Sequence, residues 1–252
     1  RHMASRYHAM LSPVLGLLPR KAWKSIWKRI PTPRGFRTPY AFAYRFLRGF
    51  TEAPGTRYLN WTSDTFTDED KSRQLTFCGS PQPTELMLDE MMSGFEGLDP
   101  LKYFMATDFR IGMQDCLLVK VDIATMAHGL EARSPFLDHR LVEYAAGLPG
   151  NVLLPGNTSK AILRQLAKRY LPDDLVTAPK RGFELPVMRW MKDDLFEMTR
   201  DVCLDRNGVV SSIVPRTHLM TLLETDAPVG QERRAKQLWT LLMLGLWDAG
   251  NG

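Results

Sequence analysis

One stretch constrains this chain more than any other: Asp115 to His139, reading DCLLVKVDIATMAHGLEARSPFLDH. Its apolar spacing predicts a helix running from Asp115 through Val121. Asp122 is placed to cap a fresh short helix, Ile123 to His128, and Gly129 suits the left-handed stop that ends it. Pro135 disfavours helix at the residue before it, so Leu130 to Ser134 should be extended. Asp138 then caps another helix to Ala146, with Leu141, Val142 and Ala145 on its apolar face. The segment therefore reads as helix, extended loop, helix.

The same grammar recurs along the chain. A short helix is expected from Arg6 to Leu18, bent at Pro13, and a second one opens at Pro19, where a missing N–H costs nothing. In that second helix Trp23, Ile26, Trp27 and Ile30 fall on one face. Pro31 to Pro39 is loop by its proline and glycine content, and Pro39 begins a run rich in aromatics (Tyr40, Phe42, Tyr44, Phe46, Phe50) with core spacing. Thr67 to Asp70 resembles a capping box. Pro83-Thr84-Glu85 and Asp99-Pro100 repeat a cap followed by a helix, and Thr158 or Ser159 opens one through Tyr170. No Val/Ile-rich run alternates with period two, and no Asn-Gly or Asp-Gly turn separates apolar runs. The fold class expected is mainly α. That matters for function, because phosphate loops normally join a strand to a helix.

At 252 residues the chain can bury a sizeable core. It carries no run of the roughly 18 apolar residues that a membrane span needs. The net charge of +5 is concentrated where Arg20, Lys21, Lys24, Lys28, Arg29, Arg34 and Arg37 crowd together. That cluster reads either as the solvated face of a core-packed helix or as a surface for an anionic partner. Cys78, Cys116 and Cys203 are widely spaced with no C-x-x-C, which argues against a disulfide framework or zinc site and fits a reducing cytoplasm. His128 and His139 have no metal-ligand spacing, and no metal site is expected. Residues 1–5 (RHMAS) read as a tag remnant, leaving 6–247 as one helical domain or fragment. Within it, 6–113 is a lead-in, 114–190 the signature region, and the segment from 190 to 247 closes with helices.

Two places hold candidate chemistry. In an extended segment Glu131 and Arg133 point to the same side. Side by side, a carboxylate and a guanidinium could bind a zwitterion such as an amino acid, or could be a structural ion pair. Lys180-Arg181, in the Pro/Gly-bounded loop Pro179 to Pro186, forms a compact positive spot. It could neutralise a phosphate or remain a solvated loop.

Taken together, LLVKVDIATMAHGLEARSPFLDHRLVEYAAGLP, SKAILRQLAKRYLP, PKRGFELPVMRWM and ERRAKQLWTLLMLGLW resemble the C-terminal part of the synthetase domain of glutamine-hydrolysing asparagine synthetases, which are related to the β-lactam synthetases. The resemblance runs from about Arg6 to Trp247. It implies the helical half of an adenine-nucleotide α-hydrolase-like domain of PP-loop ATPase type, with the parallel sheet absent or minimal. The implied reaction is aspartate attack on the α-phosphate of ATP with Mg²⁺, giving β-aspartyl-AMP and pyrophosphate, followed by displacement of AMP by glutamine-derived ammonia. On this resemblance Lys180, with Arg181, would contact the phosphates, and Asp115 would lie near the acceptor. Lys120, Glu131 and Arg133 would shape the aspartate and nucleotide pocket.

Departures from the family pattern carry equal weight. The chain has no SGG-x-DS loop, no SGEG-x-DE segment and no nucleophilic N-terminal cysteine. Where the family usually reads VDR, this chain has Val121-Asp122-Ile123. The expectation is therefore a piece that binds neither ATP nor Mg²⁺ tightly alone. It would depend on glutaminase and nucleotide-binding segments of the same protein and could form a homo-oligomer. No nucleic acid or membrane span is implied. A paralogous amide former acting on another acid, and a catalytically silent basic scaffold, are the alternatives.

Overall fold

The computed structural model describes residues 2–251 apart from 16, 18, 28, 32, 34–37, 63–64, 67–70, 72–74, 77–83, 179–184 and 225–230. Among the described residues there are helices and turns and no strand, as the absence of alternating patterns implied. The chain forms two compact units, residues 1–16 with 92–182 and residues 17–91 with 183–252.

The first unit opens with a helix, His2–Leu15, which starts one turn earlier than its sequence suggested and carries Pro13 inside it. Ser5 is buried there, and its hydroxyl donates to the carbonyl of His2 at 2.7 Å. Against this helix lies Pro100–Thr107, opened as expected by Asp99, whose carboxylate accepts from the amides of Leu101 and Lys102. Proline at the first helical position costs no hydrogen bond. Leu101, Phe104 and Thr107 are the buried side of this helix. Arg6 reaches the carbonyl of Leu154 at 2.6 Å, tying the N-terminal helix to the Gly150–Leu153 turn. Ala161–Ala167 and Asp173–Thr177 follow, joined by Arg164 donating to the carbonyl of Val176 at 2.5 Å. The first of these starts later than Thr158 or Ser159 predicted. Pro155–Asn157 forms a 3₁₀ turn, and Lys160 sits at φ 56, outside the helix, so the chain turns before it winds.

The second unit is organised by one long helix, Gln231–Asn251. At 1.5 Å per residue its 21 residues span roughly 31 Å. Ala235, Leu238, Leu241, Leu242 and Gly245 recur at three- and four-residue spacing and form its inner face. Val187–Lys192, Phe196–Leu204, Val209–Ile213 and Arg216–Glu224 pack around that face. The enclosed core includes Met191, Cys203, Val210, Val214, Leu219, Leu222 and Leu223. Buried Thr199 donates its hydroxyl to the carbonyl of Leu195 at 2.7 Å, and Arg234 donates to the carbonyls of Leu222 and Leu223, capping the end of Arg216–Glu224. The amide of Thr76 donates to the carbonyl of Ile213 at 2.6 Å, and Gln237 donates to the carbonyl of Thr65 at 2.9 Å, so Phe66 and Leu75 strap the same core.

In the same unit Arg20–Trp27, Pro39–Gly49 and Pro54–Thr62 form the aromatic portion. The helix begins at Pro39 as its sequence implied, and Thr38, which the spacing had not singled out, caps it by accepting from the amide of Ala41 at 3.1 Å. Trp23 and Phe50 are buried with ring centroids 5.9 Å apart, and Phe46 stacks on Trp61 at 5.8 Å. The aromatic run is only partly core, however: Tyr40 and Phe42 are exposed, as is Ile26 of the expected stripe. The Thr67–Asp70 capping box and Cys78 lie outside the described residues.

Candidate functional site

The signature stretch is built on one continuous helix. Pro100–Thr107 passes into Asp108–Leu118, which is π-wound, and then into Val119–Met126. The sequence pattern suggested a break with Asp122 as a new cap. Instead Leu118 and Val119 keep right-handed helical dihedrals, and Asp122 lies within the helix. With its neighbours already helical, an Asp side chain has no free N–H groups to cap, so it stays exposed.

The stop is where the sequence placed it. Gly129 has φ 66, its amide donates to the carbonyl of Met126, and the amide of Leu130 reaches the carbonyl of Thr125, both at 3.0 Å. This pairing around a left-handed glycine is a Schellman close, and it throws the chain out of the helix axis. The next residues are irregular until the 3₁₀ turn Pro135–Leu137. Arg133 and Glu131 meet at 2.7 Å, with side chains 81% and 70% exposed. They are thus brought together, and they pair with each other in open solvent.

Asp138 then caps His139–Gly147, accepting from the amide of Arg140 at 3.0 Å. Arg140 adds a second tie that spacing had not revealed: its Nε and a terminal nitrogen donate to the two carboxylate oxygens at 3.0 and 2.8 Å. This guanidinium holds the Asp138 carboxyl below the usual carboxylate range, and the carboxylate in turn raises Arg140. The sequence signal was the D-x-R pattern of Asp138-His139-Arg140, visible but read only as a cap.

The remaining candidates are not gathered. Asp115 and Lys120 are exposed on the long helix, and among the described residues neither has a hydrogen-bonding or ionic partner. Lys180 and Arg181 lie outside the described residues. Among the described residues no group of three or more His, Cys, Asp or Glu is placed to hold a metal ion. No helix among them is long and apolar enough to cross a membrane.

Apolar side chains around the loop are uncovered. Ile123 is 65% and Phe136 66% exposed, and Leu117, Val119, Met126, Leu130, Tyr144 and Tyr170 are exposed as well. Neither Val119–Met126 nor His139–Gly147 has a buried residue. A helix that is apolar on several sides belongs inside a larger body.

Comparison with known proteins agrees with the sequence pattern. A family model described as "Asparagine synthase" matches residues 14–249. The chain is 26% identical over 159 residues to "Asparagine synthetase [glutamine-hydrolyzing] 1" of Bacillus subtilis, covering 63% of this chain and 24% of that protein. It is 29% identical over 154 residues to "Putative asparagine synthetase [glutamine-hydrolyzing]" of Mycobacterium tuberculosis, covering 61% and 23%. Against "Asparagine synthetase [glutamine-hydrolyzing]" of Gallus gallus the identity is 41% over 69 residues, covering 26% and 12%. The chain thus spans about a quarter or less of the length of these relatives. No solved structure matches significantly.

Proposed function

Because this chain belongs to the asparagine synthase family, we propose that it is the helical portion of an ATP-dependent, AMP-forming ligase that converts aspartate to asparagine. The observation that carries this reading is the family match over residues 14–249, which includes a signature loop closed by Gly129 and capped by Asp138. In the complete protein the aspartate side-chain carboxylate attacks the α-phosphate, the bond to pyrophosphate breaks, and β-aspartyl-AMP forms. Ammonia then attacks the acyl carbon and AMP leaves. Lys180 and Arg181 would supply positive charge to the phosphates, where charge develops during transfer. Asp115 would face the acceptor. Lys120 and the Glu131–Arg133 pair would bind the charged ends of aspartate, with the pair opening to do so.

ATP, Mg²⁺ and the ammonia-delivering glutaminase belong to this proposal as properties of a longer protein. Its other segments would cover the apolar surfaces of Val119–Met126 and Phe136. Left uncovered, surfaces of this kind tend to find partners, so the 252-residue chain is expected to self-associate. A single monomeric species by light scattering at micromolar concentration would contradict that.

The 252-residue chain should show no aspartate-dependent ATP–pyrophosphate exchange with Mg²⁺. A longer form with the upstream segments should show it, and Lys180→Ala in that form should abolish it. Exchange by the short chain, or none by the long one, overturns the reading. Ile123 favours a second reading, an amide former acting on another acid: it is apolar and exposed where the family usually has arginine. Profiling AMP release by the longer form across acidic substrates separates the two.

A further inference from the structure

Charge is divided unevenly along this chain. Residues 17–62 hold ten Lys and Arg, the seven of the N-terminal cluster with Arg45, Arg48 and Arg57, against one acid, Glu52. That is a net of +9 where the whole chain has +5, so the other 206 residues together carry −4. A surface that serves solubility alone mixes both signs. A field of one sign this concentrated draws anions.

The fold keeps apolar groups beside this charge, all within the second unit. In Arg20–Trp27, Trp23 turns inward onto Phe50. Lys21 lies roughly 160° round the helix from Trp23 and is exposed, as is Ser25. Ile26, on the flank, is exposed as well. The amide of Arg29 donates to the carbonyl of Ile26 at 3.1 Å, so exposed Arg29 stands one turn further on. The Tyr40 hydroxyl donates to the carbonyl of Pro31, drawing the start of Pro39–Gly49 against the same connection. There Tyr40 is exposed and Phe42 is 60% exposed, with the Arg45 guanidinium 5.0 Å over the Phe42 ring. Among the described residues neither Lys21 nor Arg29 has an ionic partner.

Cations and apolar side chains together select the partner. A nucleic-acid backbone would use the charge and leave Ile26 idle. An anionic bilayer uses both, because cations meet the headgroups while aliphatic and aromatic side chains enter the interface. Either attraction alone binds marginally, and the two combined hold. We propose that the face carrying Lys21, Ile26, Arg29, Tyr40 and Phe42 docks on an anionic lipid surface. This docking is independent of the ligase reading.

Flotation of the 252-residue chain with phosphatidylcholine vesicles, with or without phosphatidylglycerol, is the test. Binding should require phosphatidylglycerol and fall steeply at about 1 M salt, where charges are screened within about 3 Å. Lys21→Gln with Arg29→Gln should weaken it roughly 30-fold, about fivefold for each cation. Ile26→Ser with Phe42→Ser should weaken it about 10-fold or more. Ile123→Ser with Phe136→Ser, at exposed apolar positions of the first unit, should leave it unchanged. A second readout does not depend on losing binding. With Cys78 and Cys116 replaced by serine, an environment-sensitive fluorophore on Ile26→Cys should shift to the blue on the anionic vesicles, and one on Tyr170→Cys should not. Equal binding to uncharged vesicles, binding to neither, or an unmoved Ile26 label overturns the proposal. So does a charge pair or an Ile26–Phe42 pair without effect, or an equal loss from the Ile123–Phe136 pair. Tighter binding to duplex DNA than to the vesicles, untouched by the Ile26–Phe42 pair, would overturn it in favour of a nucleic-acid surface.

Discussion

The helices around Gln231–Asn251 and the helix through Asp115 have similar apolar content and opposite fates. In the first, Leu242, Val210 and Cys203 are sealed, and every neighbouring helix contributes to one core. In the second, Leu117, Val119 and Ile123 stand in solvent. The lesson is that amphipathic pattern and partner must match. Leu238, Leu241 and Leu242 lie on one stripe that neighbouring helices can cover, whereas apolar residues spread around Val119–Met126 need enclosure from several directions. The signature region is formed locally by caps and stops, without the burial that makes a core.

Substitutions can break this comparison. The largest expected effect is Leu242→Ala, which removes fully buried methyl groups and should cost about 2–5 kcal/mol in chemical denaturation. Ile123→Ala, already in solvent, should change stability by about 0.5 kcal/mol or less. A loss at Ile123 as large as that at Leu242 would mean that Ile123 is enclosed after all. Thiol reactivity sharpens the same contrast. Burial pushes the Cys203 thiol up to about 11, so in the native chain Cys116 should react with a maleimide and Cys203 should not. Leu242→Ala should raise Cys203 labelling through core opening, and unchanged protection would show that the core opens in separate pieces.

Gly245→Ala comes next. An added methyl group there would run into Val202 and crowd Val210 at 3.3 Å, so about 1–3 kcal/mol should be lost. A neutral result would show that the Phe196–Leu204 helix yields easily. Smaller still is Glu131→Gln, which removes one member of an ion pair in open solvent and should shift the melting free energy by at most about 1 kcal/mol. A larger loss would make the pair structural rather than available to a substrate.

The smallest effect is the pH response of Asp138. Its folded carboxyl is held below its ordinary value of 3.8 by Arg140. Its contribution is therefore present above the unfolded value and fades as pH falls through the lower folded one. The acid limb of unfolding should flatten slightly in Asp138→Asn, and an unchanged limb would remove Asp138 from the acid response.

Much of this was legible in residues. Asp99-Pro100, Pro39, Gly129 and Asp138 each fix a local conformation by a steric or hydrogen-bonding rule acting within a few positions, and each stands where its rule puts it. The pairing of Glu131 with Arg133 was legible too, from their two-residue spacing between Gly129 and Pro135. Asp122 was misread because a cap requires free amides, and whether the preceding turn continues is settled by the whole helix. The D-x-R tie of Arg140 was missed because a side chain's reach across its own cap depends on rotamer rather than spacing.

Sequence alone thus determined the mainly α class, the family, and the stops and caps that frame the signature loop. These rest on short-range backbone chemistry and on a long ordered pattern. Only tertiary structure decided which apolar faces are covered, that Gln231–Asn251 and not the signature helix is the centre of a core, and how Asp108–Leu118 is wound. Burial and winding depend on partners distant in the chain, and no local rule within a single helix specifies them.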